Sequence, residues 1–481
     1  MCEIGIVGLG VMGRNLLLNM ADNGFPVAGF DVDASKVASL QAESGSRDVH
    51  GASSLAELTD LLRKPRAILF LVPAGPPVDA VIRGLIPYTE PGDVFIDAGN
   101  SHFKDTDRRA RAMEMQGIDY LGVGISGGEL GARVGPSIMP GGPRQAYERV
   151  RPLFEAIAAK VDGEPCAAYL GPGSAGHYVK MVHNGIEYGL MRLISETYHL
   201  MKQGLGLNDD QLADVYQQWN RSELSGYLIG ITADIFRKRD DRTGNRLIDM
   251  ILDESGQKGT GMWTSEDALS LQVPVLAIDV AVAMREMSVL KAEREAASRV
   301  LAGPSRTFRG DKKAAIAQIG GALYAAMIVT YAQGMAQLRR ASEAYGYGLN
   351  LEDVARIWRG GCIIRAAVLE TILAAYHAQP GLPNLLLDPR VAEEVVSRQD
   401  ALRAVVRAAA ELGIPAPGLM VSLAYFDSYR SAWLPDNLTE AQRDYFGAHR
   451  YQRIDMEGSF HTEWTEQSSA RVQRLAAVGA E

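Results

Sequence analysis

Gly8-Leu9-Gly10-Val11-Met12-Gly13 follows the strand candidate Glu3–Val7 directly and opens a helical pattern. A glycine-spaced turn in that position confines the start of the chain to a strand–turn–helix unit. Strand candidates Val27–Asp31, Ala67–Val72, Val94–Ala98 and Tyr120–Ile125 follow, with helical stretches between them. Such alternation predicts βαβ units and a mainly parallel sheet with helices on both faces. Gly171-Pro172-Gly173-Ser174-Ala175-Gly176 breaks the pattern and marks a domain boundary. The expected organisation is an α/β Rossmann-like domain over residues 1–176, an all-helical domain over 177–434 and a tail over 435–481.

At 481 residues the chain is too long for one ordinary core. Within the helical part, Gly206-Leu207-Asn208 with Trp219 resembles Gly348-Leu349-Asn350 with Trp358. Each run follows a long helix rich in small residues, so an internal duplication is expected. The apolar stretch Ala314–Ala332 reads as a buried core helix; a membrane span is not expected. The tail, polar and aromatic over Asp436–Arg453 and rich in Thr and Glu over Ser459–Gln467, cannot form a core alone. It is expected to wrap over its own domain or a partner subunit.

The formal charge is −9, from 49 basic and 58 acidic residues, and carries no electrostatic footprint for nucleic acid. The three cysteines, Cys2, Cys166 and Cys362, are odd in number and widely spaced, against a disulfide framework or a zinc site. A strand pattern begins at once, so no signal peptide is expected, and a cytoplasmic location fits.

The glycine turn suits a dinucleotide: it permits a tight bend, close approach to a pyrophosphate, and phosphate binding at the helix N-terminus. Gly8, Leu9, Gly10, Val11, Met12 and Gly13 are therefore cofactor-binding candidates, with Val72 and Asn100 at the ends of later strands. Asp31 ends the second strand, where a carboxylate accepts from ribose hydroxyls and repels a 2′-phosphate. Asp33 adds a second carboxylate, and the nearest basic residue is Lys36. This favours NAD, with NADP possible. The alternative is that Asp31 only caps the following turn.

Lys180, His183, Asn184 and Glu187 recur at i, i+3, i+4 and i+7 of one helical stretch, Gly176–Tyr188. They share a face, with Lys180 and Glu187 about 10 Å apart along the axis. Such a pair can serve as base and acid at two ends of a small substrate. The alternative is a solvated face with a weak Lys–Glu pair. Ser126-Gly127-Gly128 and Asn100 follow strands at the sheet's ligand-binding edge, as candidate carboxylate holders or as simple turns. Lys258, in Gln257-Lys258-Gly259-Thr260-Gly261, is a candidate phosphate clamp.

These residues resemble the 6-phosphogluconate dehydrogenase family. The resemblance is carried by Lys180–Tyr188, Ile125–Glu129, Ile357-Trp358-Arg359-Gly360-Gly361-Cys362 and Ala441-Gln442-Arg443-Asp444-Tyr445-Phe446-Gly447-Ala448-His449. It implies oxidative decarboxylation of 6-phospho-D-gluconate to D-ribulose 5-phosphate and CO2, in the pentose phosphate pathway, by a homodimer without metal. By the match, Lys180 is the base at the C3 hydroxyl and Glu187 the acid at C1. Asn100, Ser126, Gly127, Gly128, His183 and Asn184 hold the sugar acid. Tyr188, Lys258 and Arg285 hold the phosphate, with Arg443 and His449 from the partner's tail. NADP-using members carry an Asn-Arg-Ser/Thr run where this chain has Asp31-Val32-Asp33, so the resemblance itself points to NAD. Pro73 and Met262 stand where many members have Lys. Two other readings compete: a related β-hydroxyacid dehydrogenase acting on a smaller acid, and a dinucleotide-binding sensor without catalysis.

Overall fold

The computed structural model describes residues 1–304 and 306–464. The chain divides into two compact units, Met1–Leu423 and Ala424–Glu481. The first opens with β1 (Ile4–Val7), α1 (Val11–Asp22), β2 (Val27–Phe30), α2 (Ala34–Ser44), β3 (Val49–Gly51), α3 (Leu55–Leu61), β4 (Ala67–Phe70), α4 (Pro76–Leu85), β5 (Val94–Asp97), α5 (Phe103–Glu114), β6 (Asp119–Ser126), α6 (Gly128–Val134), β7 (Ser137–Gly141) and α7 (Arg144–Ile157). These strands form one sheet in the order β3-β2-β1-β4-β5-β6-β7. The pairs from β3 to β6 are parallel, and β7 joins β6 antiparallel. The order reverses between β1 and β4, which opens a crevice at their C-terminal ends, where the glycine turn lies.

β1, β4 and β5 are buried along their whole length, so they read as apolar runs, β5 up to its last residue, Asp97. One face packs Ile4, Ile6, Leu69 and Ile96 on Leu16, Leu17 and Phe154. The other packs Val7, Ile68, Phe70 and Phe95 beneath Leu58, Val78 and Ile82. The five expected strands are present with ends shifted by a residue or two. β3 and β7 were not expected. β3 is three residues long, and β7 carries a proline and a glycine in a five-residue edge strand.

The helical part starts with α8 (Ala175–His199) and continues through α9 (Asp209–Trp219), α10 (Tyr227–Arg237), α11 (Thr260–Ser270), α12 (Leu276–Val289) and α13 (Lys291–Val300). Then come α14 (Lys312–Tyr345), α15 (Leu351–Trp358), α16 (Val368–Ala378), α17 (Pro389–Val396), α18 (Gln399–Leu412) and α19 (Pro417–Tyr429). The duplication follows the repeated asparagines: Asn208 caps α9 and Asn350 caps α15. The two copies meet where Tyr227 N donates to Arg365 O and Ala367 N donates to Ser225 O. α14 is long and apolar enough to cross a membrane by composition, but Ala322–Met335 is buried, with α8 and α18 packed against the helix.

α8 packs on β6, β7 and α14 together. A Cβ on Gly176 would stand 2.2 Å from Met139 O and 2.3 Å from Gly122 O, so only glycine lets the helix seat on the sheet. Sheet and bundle therefore share one compact unit, although the glycine-rich break between them is real.

The second unit contains α20 (Asp436–Gly447). The unit begins at Ala424, before the expected tail boundary of 435. The polar, aromatic Asp436–Arg453 segment supplies that helix. From Thr465 on, the Ser459–Gln467 stretch and the rest of the tail lie outside the described residues.

Candidate active site

The glycine turn ends β1 and starts α1. Gly8 has φ 100°, and a Cβ there would stand 2.6 Å from Leu71 O and 2.9 Å from a Val72 side-chain carbon. A Cβ on Gly13 would stand 1.9 Å from Gly8 O. The backbone is thus drawn tight under the helix N-terminus, whose free N–H groups suit a pyrophosphate. Gly10 has nothing within 4 Å of its Cβ position, so the cradle itself is open.

Asp31 is buried and does more than cap a turn. Its Oδ2 accepts from Leu9 N at 2.8 Å and its Oδ1 from Asp33 N at 2.9 Å. Lys36 Nζ lies 3.3 Å from both oxygens. Val32 is 94% exposed. Asp33 caps α2 through Ser35 N. The second strand thus ends in two carboxylates, one of them bonded to the glycine turn, with its nearest cation already paired.

The four polar residues of α8 share a buried face. Lys180 and His183 are inaccessible, which overturns the solvated-face alternative. Lys180 Nζ donates to Asn184 Oδ1 at 2.7 Å and lies 3.3 Å from His183 Nδ1. His183 Nδ1 lies 3.8 Å from a Glu187 oxygen. His183 Nε2 lies 3.3 Å from Ser126 Oγ. Burial lowers the Lys180 amine, against the pull of Glu187 and Cys362. Burial raises the Glu187 carboxyl, against Lys180 and Arg285. Burial, reinforced by Lys180, holds His183 well below the usual imidazole range. Both partners of the pair are pushed toward neutrality, the form in which a lysine is a base and a glutamic acid is an acid.

Above this face opens a cleft of about 1030 Å³. Asn184, Glu187 and Tyr188 form its floor, and the Pro73–Gly75 and Gly99–Asn100 loops one wall. Lys258, Thr260 and Trp263 at the start of α11, and Arg285 from α12, form the other. Thr260 Oγ1 accepts from Asn184 Nδ2 at 3.1 Å. The Arg285 guanidinium lies 3.5 Å from the Tyr188 ring centre and donates to Gly256 O at 3.0 Å. The cleft thus has cations on one wall and Glu187 in its floor, with Lys180 buried and bonded to Asn184 of that floor.

The remaining expected residues take distinct places. Asn100 has φ 54°. Its side-chain amide is engaged with Ile125: Nδ2 donates to the carbonyl at 3.3 Å and Oδ1 accepts from the N–H at 3.1 Å. Ser126 lies behind His183 rather than in the cleft wall, and Ile363 N donates to its Oγ at 3.4 Å. Gly127 (φ 133°) and Gly128 (φ 63°) form the turn after β6, braced by Gly361 O against Gly127. Pro73 lines the cleft. Met262 packs on Tyr188, Ala281 and Val282. Arg443 and His449 lie exposed on the second unit, where Arg443 pairs with Glu440 at 2.6 Å and His449 contacts the Phe446 ring.

Three contributors were invisible in the sequence reading as site residues. Thr260 orients Asn184. Trp358 sets its ring edge-on to His183 at 5.6 Å. Cys362, whose thiol burial pushes up to about 12 against the influence of Lys180, donates to Trp358 O at 3.0 Å. The motif around Trp358 and Cys362 was the only signal for the last two. Among the described residues no three His, Cys, Asp or Glu side chains are placed to hold a metal ion.

Comparison with known proteins covers nearly all of the chain. Residues 3–171 match the NAD binding domain of 6-phosphogluconate dehydrogenase, and residues 176–464 match its C-terminal domain. An NADP(+)-dependent, decarboxylating 6-phosphogluconate dehydrogenase of Bacillus subtilis is 51% identical over 463 residues, spanning 96% of this chain and 99% of its own. A decarboxylating 6-phosphogluconate dehydrogenase of Synechococcus elongatus is 52% identical, spanning 96% of this chain and 99% of its own. The 6-phosphogluconate dehydrogenase of Plasmodium falciparum, studied in apo form and with NADP+ and 6-phosphogluconate, superposes with a TM-score of 0.91 at 42% identity. The superposition covers 96% of this chain and 100% of that one. With a dinucleotide-binding sheet, a duplicated helical domain and matching models over both parts, the chain belongs to the decarboxylating 6-phosphogluconate dehydrogenase family.

Proposed function

We propose that the chain oxidises and decarboxylates 6-phospho-D-gluconate to D-ribulose 5-phosphate and CO2, with NAD as the preferred oxidant. The observation that carries the reaction is the Lys180–Glu187 pair, driven toward neutrality, with Glu187 in the floor of a cleft with a cationic wall and Lys180 bonded to Asn184 of that floor. Lys180 takes the proton of the C3 hydroxyl. A bound nicotinamide would supply the acceptor for the C3 hydrogen and its electron pair. The carbonyl formed at C3 is β to the carboxylate, so the C1–C2 bond breaks and CO2 leaves. The Lys180 ammonium returns its proton to the C3 oxygen as negative charge develops there. Glu187 then protonates the carbon that becomes C1 of the product, while Lys180 takes the enediol proton. A proton passing from Lys180 to Glu187 resets the site. Arg285, Lys258 and Tyr188 hold the phosphate, helped by Arg443 and His449 of a partner's tail in a homodimer.

Two of the relatives named above, those of Bacillus subtilis and Plasmodium falciparum, carry NADP in their descriptions. NAD is preferred here because Asp31 and Asp33 put negative charge where a 2′-phosphate would sit. Val32 offers no guanidinium, and Lys36 is paired with Asp31. The test is initial-rate kinetics with 6-phosphogluconate and each cofactor. Absence of turnover with either would overturn the reaction; a higher kcat/KM with NADP would overturn the cofactor reading. Asp31→Asn combined with Val32→Arg is expected to shift the NAD/NADP ratio of kcat/KM toward NADP by about 100-fold or more, the worth of one lost repulsion and one gained charge-assisted contact.

A further inference from the structure

The geometry points to Arg109 as a positioning residue that sets the spacing of the two loops forming the nicotinamide wall of the cleft. Arg109 is on α5, 2% exposed, and lies behind the wall. Its Nε and Nη2 grip Asp79 in a fork, each at 2.9 Å, and Nη2 also donates to Gly75 O at 2.9 Å. Those contacts fix the Pro73–Gly75 loop and the start of α4. Its Nη1 donates to Ser101 Oγ at 3.1 Å, and Ser101 Oγ donates to Asp97 Oδ2 at 2.7 Å. Tyr120 donates to the same oxygen at 2.9 Å, and Gly99 N donates to Asp97 Oδ1 at 3.0 Å. Those contacts fix the Gly99–Ser101 loop, which carries Asn100. The loops also touch directly: a Cβ on Gly99 would stand 2.5 Å from Val72 O. One planar fork therefore clamps both sides, a task that a lysine's single nitrogen cannot copy.

A second buried pair at the other end of β5 serves as the reference. Arg66 N donates to Asp93 Oδ1 at 2.6 Å and Arg66 Nη1 to Asp93 Oδ2 at 3.1 Å, at the sheet edge away from the cleft. Both pairs hold the fold. Only Arg109 also holds cleft loops.

The inference rests on the proposed use of a nicotinamide cofactor and on placing its ring between these loops, where the cofactor-binding candidates Val72 and Asn100 stand. The experiment measures dissociation constants of the reduced cofactor and of 6-phosphogluconate, with Tm, for the intact protein and for Arg109→Lys, Ser101→Ala and Arg66→Lys. Arg109→Lys is expected to weaken reduced-cofactor binding roughly 10-fold and 6-phosphogluconate binding by clearly less, because Asn100 is the one substrate candidate on the clamped loops and its side chain keeps its own bonds to Ile125. kcat is expected to fall about 10- to 100-fold through misplacement of the reacting ring. Ser101→Ala, which leaves the Asp79 fork intact, shifts cofactor binding in the same direction by less and covers the case in which Arg109→Lys does not fold. Arg66→Lys lowers Tm and leaves cofactor binding alone. Equal cofactor affinity in Arg109→Lys, Ser101→Ala and the unaltered protein would overturn the role. So would an equal loss in Arg109→Lys and Arg66→Lys. If the unaltered protein binds neither NADH nor NADPH, it is the nicotinamide placement that fails.

Discussion

Lys180 and Glu187, the proposed base and acid, each influence the other's titration. With the amine lowered and the carboxyl raised, the two titrations move toward each other, and between them the pair holds one proton. The productive form, neutral Lys180 with protonated Glu187, has the same charge as the ion pair. Its share is therefore constant between the two titrations. Below the Glu187 titration both groups are protonated and the base is lost. Above the Lys180 titration both are deprotonated and the acid is lost. kcat/KM is expected to be bell-shaped. In Glu187→Gln the alkaline limb disappears and the acid limb moves up to the Lys180 titration, with a rate lower by about 100-fold or more. An unchanged bell in that variant would remove Glu187 from the mechanism. Lys180→Met abolishes turnover and raises Tm, because a buried amine held below its usual range costs stability at every pH under its free value. The sequence placed all four residues on one face by spacing alone. It did not show that the face is dry. The groups that dry it, Ser126, Trp358 and Thr260, come from segments distant along the chain.

At the level of elements, α8 is the joint of the molecule. It carries the acid–base face, and its first turn is wedged on the edge of β6 and β7. Gly176→Ala puts a methyl group against two backbone oxygens that cannot rotate away. A loss of about 1–3 kcal/mol in urea unfolding is expected, the usual range for overpacking. Gly10→Ala, with open space at its Cβ, keeps the stability of the unaltered protein and weakens dinucleotide binding. Wild-type stability in Gly176→Ala would show that α8 can shift on the sheet. The helical periodicity and the βαβ alternation were legible because these elements bury regular apolar faces. β3 and β7 were not, since a three-residue strand and an edge strand carrying Pro140 have no period to read. The glycine-rich break before α8 was legible as a change of architecture. That α8 nonetheless packs on both sides of it depends on contacts with no local signal.

The tail raises the question that belongs to the molecule as a whole. Within the second unit, Asp444 is inaccessible and its carboxylate gathers four donors. Oδ1 accepts from Arg450 N at 3.0 Å and His461 Nδ1 at 2.9 Å; Oδ2 accepts from Thr462 N at 3.0 Å and Trp464 Nε1 at 2.8 Å. Burial works to raise this carboxyl, yet those donors hold it well below its usual range. The segment around His449 is therefore built to a fixed shape, with Ala448 and Arg450 in left-handed backbone on either side of it. Among the described residues Arg443 pairs with Glu440 and His449 contacts Phe446, and both stand exposed. If they serve the cleft of a second copy, two dead variants will repair each other. One chain carries Lys180→Met with an intact tail; the other keeps Lys180 and carries Arg443→Ala with His449→Ala. In a mixed dimer the second chain's site has its own Lys180 and the first chain's tail, so it works. The other site lacks both. In the captured mixed dimers about one site in two is active, from parents with almost none. If each tail serves its own chain, no mixed site is complete and activity stays at the parental level. Coexpression of the two differently tagged chains, followed by sequential affinity capture and assay, separates these outcomes. The substitutions in the tail lie at exposed positions, so loss of folding does not imitate the second result.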